Sequence, residues 1–184
     1  MLDIPESIKS LFKSDNTTND TRRHLKLYFY NKDVPLSPSG ELLPIDQEPC
    51  YVIDNKQVLT EALTITESLC ESDDLKFGEC NAAQFEITVA DVLIDLSGKE
   101  FIFTVEVGGY EMAMGIYRVE SFVRLESDRR KKKITAYNRM RRFQTDVTAW
   151  YQGLNFPMTL KSLRDSLCGH IGIEQVDTSL PLDN

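Results

Sequence analysis

Residues 61–92 read EALTITESLCESDDLKFGECNAAQFEITVADV, two alternating apolar and polar runs joined by an acidic loop. In the first run Leu63, Ile65 and Leu69 share one face while Thr64, Thr66 and Ser68 share the other. That period of two belongs to a half-buried strand, whose successive side chains leave opposite sides of the pleat. In the second run Phe85, Ile87 and Val89 alternate with Glu86 and Thr88. Between them Glu71-Ser72-Asp73-Asp74 cannot be buried without partners, and Phe77-Gly78 offers an apolar anchor beside a residue that tolerates positive φ. The stretch predicts a strand, a structured loop and a strand around which the chain is organised, with no chemistry visible in it.

Upstream, Ile4, Ile8, Leu11 and Phe12 recur at helical spacing, with Pro5 suited to a first turn, and predict a short amphipathic helix over 4–13. The polar SDNTTNDT at 14–21 reads as a linker. It leaves the helix able to pack on its own domain or on another chain, so Ile4, Ile8, Leu11 and Phe12 are candidate partner contacts. His24–Tyr30 alternates Leu25, Leu27 and Phe29 against Lys26 and Tyr28, a first strand with aromatic cross-strand partners. Pro35, Pro38, Pro44 and Pro49 with Gly40 exclude a long helix or central strand before Cys50, so this segment reads as an arm and a candidate contact surface. Residues 50–53 then read as a short edge strand.

Downstream, Ser97-Gly98-Lys99 marks a turn into a strand whose Phe101, Phe103, Val105 and Val107 share a face, and Gly108-Gly109 signals a hairpin. Tyr110–Leu125 is too long for one regular strand. Met112, Met114 and Ile116 are in phase, whereas Tyr117, Val119, Val123 and Leu125 have the opposite parity, which predicts a bulge or bend near Gly115. Asp128–Lys133 reads as another hairpin. From Asn138 the period becomes helical: Met140, Phe143, Val147, Trp150, Tyr151 and Leu154 predict one helix, ended by Gly153 and Pro157. Thr159 caps a second, carrying Leu160, Leu163, Leu167 and Ile171 and closed by Gly172. The predicted class is α+β: mainly an antiparallel bent sheet or β-barrel, with a short N-terminal helix and two C-terminal helices. It divides into a helix and linker (1–22), a β-barrel domain (23–137) and a helical segment (138–184) leading towards a further domain.

Hydrophobic residues make up 41% and charged residues 27% of the 184 positions, a globular balance. No apolar run approaches the ~20 residues that cross a bilayer, so no membrane partner is expected. The N-terminus carries Asp3 and lacks a signal-peptide core, which predicts synthesis in a cytoplasm. Lys+Arg number 21 against 29 Asp+Glu, a formal net charge of -8 that repels nucleic acid on average. Cys50, Cys70, Cys80 and Cys168 contain no CxxC pair and read as reduced thiols, with zinc the weaker alternative.

The densest positive charge is Arg129, Arg130, Lys131, Lys132 and Lys133, followed by Arg139, Arg141 and Arg142. It could bind phosphate or an acidic partner surface, or it could be a solvated hairpin tip. Glu67–Asp74 could hold calcium but lacks the glycine and spaced ligands of an EF-hand loop. Asp165, Cys168 and His170 place an acid, a nucleophile and a base close in sequence, yet Cys168 and His170 point to different sides of a helix end. With no GxGxxG, Walker, HExxH or GxSxG motif, the chain is not expected to be an enzyme, and no catalytic residue, cofactor or metal is assigned.

Four segments carry a family resemblance: IPESIKSLF (4–12), TESLCESDDLKFGECNAAQFEITV (66–89), KKITAYNRM (132–140) and TAWYQGLNFPMTLKSLRDSLCGHIGI (148–173). In their order and spacing the chain resembles the N-terminal part of the baseplate hub, or tail-associated, proteins of tailed phages and prophages of Gram-positive bacteria. The resemblance implies a virion structural protein of the tail tip, made in the host cytoplasm. It also implies a homotrimer whose tail-tube-like β-barrels form a pseudo-sixfold ring beneath the hexameric tail tube. The partners implied are other tail proteins: tail tube, distal tail, tape measure, and fibre or hydrolase modules. Members are generally longer, so this chain is expected to be an N-terminal piece connecting tube to baseplate. The alternative is a small β-barrel binding module that holds nucleic acid or an acidic polymer on the Arg129–Lys133 hairpin. A third reading, a fragment of an enzyme whose hydrolase lies elsewhere, would give this chain no activity of its own.

Overall fold

The alternation in His24–Tyr30 buries Leu27 and Phe29 completely and sends Lys26 outward to Glu106, 2.7 Å away. This segment is one strand of a seven-stranded antiparallel sheet. The structure is a computed structural model and describes residues 5–13, 23–34, 48–59, 62–67 and 81–173. In chain order they form α1 (Glu6–Lys13), β1 (His24–Tyr30), β2 (Tyr51–Asp54), β3 (Thr64–Thr66), β4 (Gln84–Ala90), β5 (Glu100–Val107), β6 (Tyr110–Leu125) and β7 (Asp128–Tyr137). A 3-10 helix η1 (Arg139–Gln144), α2 (Thr148–Gln152) and α3 (Leu160–Ile171) follow. The strand order is β2-β1-β5-β6-β7-β4-β3.

The sheet is bent over its own core. β4 and β5 stand three places apart, which in a flat sheet is roughly 14 Å at about 4.8 Å per strand. Yet the ring centre of Phe85 lies 5.2 Å from Phe101 and 5.3 Å from Phe103. Around these rings Leu27, Phe29, Ile53, Ile87, Val89, Leu96, Tyr117, Val119 and Ile134 form one buried cluster. The chain leaving β2 also reaches the far side: Val58 bridges Val89, and Ala90 N–H donates to the Gln57 carbonyl at 2.7 Å. The two ends of the sheet are thereby brought close, but β2 and β3 form no ladder and the sheet is not closed into a barrel.

The bend expected near Gly115 is present. Phe103 pairs with Gly115 and Thr104 with Ala113, so Met114 is the extra residue of a β-bulge. A Cβ on Gly115 would stand 2.9 Å from Cε2 of the buried Tyr117 ring. Gly115→Val is therefore expected to destabilise the fold by about 1–3 kcal/mol through overpacking; an unchanged urea midpoint would exclude that close approach. The parity reading of the second half of β6 needs correction. A second irregularity, between Val119 and Ser121, flips the faces again. Phe122 packs on the core while Val123 lies outside.

Two further expectations are corrected. Residues 61–92 do supply a paired strand, with Thr64 opposite Glu86, but β3 is three exposed residues at the edge of the sheet. The inner partner of β4 is β7, whose long strand occupies β4's other side from Gln84 to Ala90. The single helix expected from Met140 to Leu154 is instead η1 and the short α2. Asn138 caps η1, Thr145 is extended, and Asp146 accepts from Thr148 N–H at 2.8 Å to restart the helix. These local side-chain bonds compete with a continuous helical ladder. The hairpin at Gly108-Gly109 and α3, capped by Thr159 and closed by left-handed Gly172, match the expectation.

The N-terminal helix is also found, as α1 next to β5. Ile4, the side chains of Ile8, Leu11 and Phe12, the arm at 35–47, the acidic loop at 68–80 and residues 174–184 lie outside the described residues.

Candidate functional site

Glu100 opens β5 with its side chain 1% exposed, and a carboxylate so deep needs a counter-charge and donors. Arg139 of η1 supplies both, through Nη2 to Oε2 at 2.7 Å and Nε to Oε1 at 3.0 Å. Val34 N–H donates to the same Oε2 at 2.6 Å, and Arg139 Nη2 donates in turn to the Val34 carbonyl. One ion pair thus ties the chain after β1, the start of β5 and the start of η1.

A second carboxylate extends the network. Asp33 accepts from Arg118 Nη2 at 2.8 Å and from Arg142 Nη2 at 2.5 Å. Burial pushes the Asp33 carboxyl up, but the Arg142 hydrogen bond and the charges of Arg118, Arg142 and Arg139 outweigh it and hold it below the usual carboxylate value. Arg142 Nη1 also donates to the Gly172 carbonyl at the end of α3. Arg141 pairs with Glu120 at 3.1 Å while its guanidinium lies 4.9 Å above Tyr137. Glu100, Arg118, Glu120, Arg139, Arg141 and Arg142 line a cavity of about 320 Å³.

The cavity is arginine-rich, but each of its arginines already engages a carboxylate. An incoming anion must compete with Asp33, Glu100 or Glu120 for geometry that is already well made. The arrangement fastens the chain after β1, β5, β6 and η1 together.

Arg129–Lys133 form the first half of β7, and the hairpin turn falls at Glu126-Ser127, where Leu125 faces Asp128. The expectation of a hairpin over Asp128–Lys133 is therefore corrected. A strand sends successive side chains to opposite faces, which divides the charge. Lys131 reaches Asp128 at 3.5 Å, Lys133 reaches Glu86 at 2.8 Å, and Lys132 sits 4.4 Å above Phe122. Arg129 and Arg130 are exposed at the start of the strand.

Asp165, Cys168 and His170 are not assembled as a triad. Asp165 faces Lys161 and Arg164, whereas His170 stacks on Trp150 at 5.7 Å. Cys50 and Cys168 are free thiols; Cys70 and Cys80 lie outside the described residues. Among the described residues no group of three or more His, Cys, Asp or Glu side chains could hold a metal, and no helix is long and apolar enough to cross a membrane.

The sequence reading singled out Arg139, Arg141 and Arg142 as charge but missed their acceptors. Glu100 carried one signal, an acid directly before the apolar run Phe101-Ile102-Phe103. Asp33 sits in a polar turn and carried none. No family model, curated protein or solved structure matches the chain.

Proposed function

We propose that this chain is a structural module of a phage or prophage tail tip, the N-terminal part of a baseplate hub that connects the tail tube to the baseplate. It works by presenting surfaces to neighbouring subunits, with no reaction and no cofactor. The carrying observation is the helical segment: η1, α2 and α3 contain no buried residue, while Met140, Phe143, Tyr151, Phe156 and Leu160 are between 42% and 59% exposed. So many large apolar side chains in one segment favour a surface that a neighbour covers. Its α2 and α3, with Tyr151, Phe156 and Leu160, lie within TAWYQGLNFPMTLKSLRDSLCGHIGI, one of the stretches that carry the resemblance to hub proteins.

The finer reading of the sheet as a tail-tube-like β-barrel is supported by the Val58–Val89 bridge between its ends. A homotrimer at the virion tail tip, with tube, distal tail, tape-measure and fibre or hydrolase modules as neighbours, belongs to the same proposal. The binding-module alternative is weakened by the acidic partners of Lys131 and Lys133.

A stable interface takes at least about 1,000 Å² in total, so the covered surface should be readily cross-linked. A photo-cross-linker placed at Tyr151 or Phe156 in assembled tails is expected to capture neighbouring tail subunits. Capture within the same chain alone, while the protein sits in a virion, would overturn the assembly role.

A further inference from the structure

We infer that Arg118, Asp33 and Arg142 form a releasable clasp, through which the helical segment from Thr145 to Gly172 is attached to the sheet and from which it separates as a unit. Three observations carry this. First, α2 and α3 bury no residue, and among the described residues neither packs broadly on any strand. Second, the two helices hold each other: the Trp150 indole N–H donates to Ser166 Oγ at 3.3 Å, and the Trp150 ring stacks on His170. Third, Arg142 spans the gap, donating on one side to Asp33 and on the other to the Gly172 carbonyl, while Arg118 of β6 holds Asp33 from the sheet.

The clasp is polar and lies partly in water. Arg142 is 23% and Asp33 46% exposed at the side chain, so salt and solvent weaken the pair more than they would a buried one. The groups facing Asp33 are Arg118 from β6 and Arg142 and Arg139 from η1, all cationic. Because they depress its carboxyl, the clasp is intact at neutral pH and is lost as pH falls through that lowered value. Off the sheet, α3 of 12 residues keeps only its contacts with the short α2, which give a helix of that length little protection, so opening speeds exchange of its amides.

The inference stands apart from the tail-tip reading, because the purified chain alone tests it. Hydrogen exchange of the full chain, followed by mass spectrometry, is compared with that of Arg142→Ala and Asp33→Asn. Exchange across residues 160–172 is expected to speed up about 5-fold or more in both variants, with β4 and β7 unchanged. Arg142→Lys, which cannot fork between two acceptors, falls between them and the wild type. Raising salt to about 1 M should speed the same region in the wild-type chain, which keeps the test open if a variant fails to fold. Unchanged exchange in α3, or equal acceleration across sheet and helices, overturns the clasp.

Discussion

Replacing Arg139 with alanine is expected to destabilise the fold by about 3–5 kcal/mol, the usual cost of stranding one member of a buried ion pair. The partners are not equivalent. Glu100 is 1% exposed and keeps, among the described residues, the Val34 N–H once Arg139 is gone, whereas the Arg139 side chain is 29% exposed and can turn towards water. Glu100→Gln should therefore cost less than Arg139→Ala, since a neutral amide still accepts from Val34 and leaves a cation that water can solvate. The double variant Arg139→Ala/Glu100→Gln should recover a good part of the single-variant loss, because the stranded charge is removed. Urea denaturation of the three variants measures the cycle. If Arg139→Ala costs no more than a surface substitution, within about 0.5 kcal/mol, Glu100 is not buried with Arg139 as its counter-ion.

What was legible in the sequence was local. Leu27 and Phe29, and then Phe85, Ile87 and Val89, alternate because one face of each strand meets the core, and that alternation is written at successive positions. Gly108-Gly109, Thr159 and Gly172 were legible for the same reason: a turn or cap needs its residue at that position. The Met114 bulge showed as a change of parity. Its companion near Glu120 did not, because two bulges in one strand restore the original parity and leave only the region between them out of step.

What was not legible depended on distant residues. Glu100 and Arg139 are 39 positions apart, and Asp33 and Arg142 are 109 apart, so neither pairing leaves a trace in any short window. The basic run Arg129–Lys133 looked like one patch because sequence adjacency hides the alternation that β7 imposes and the Glu86 opposite. The helix expected over 140–154 had the right period. Extended Thr145 and the local bond from Thr148 N–H to Asp146 divided it, an instance of side-chain-to-backbone bonding outweighing periodicity. For the candidate site, the cations were visible in the sequence and the carboxylates that occupy them were not.

Phe85→Ala is the second large expected effect, about 3–5 kcal/mol, because it removes a fully buried ring and leaves a cavity between strands that are not neighbours in the sheet. The ring of Phe85 lies 5.2 Å from Phe101, 5.3 Å from Phe103 and 5.0 Å from Tyr117. It is thus the contact through which β4 closes over β5 and β6, and its loss weakens the bend as well as the packing. The comparison that isolates this is Phe143→Ala, the same chemical change at a ring 46% exposed, expected to cost within about 0.5 kcal/mol. Phe85→Leu, which keeps most of the volume, should fall between them at about 1–1.5 kcal/mol and remains measurable if the alanine variant does not fold. Denaturation midpoints of the three variants decide the matter. Equal losses at Phe85 and Phe143 would mean that β4 does not face β5 across the core and that the sheet is not bent as described.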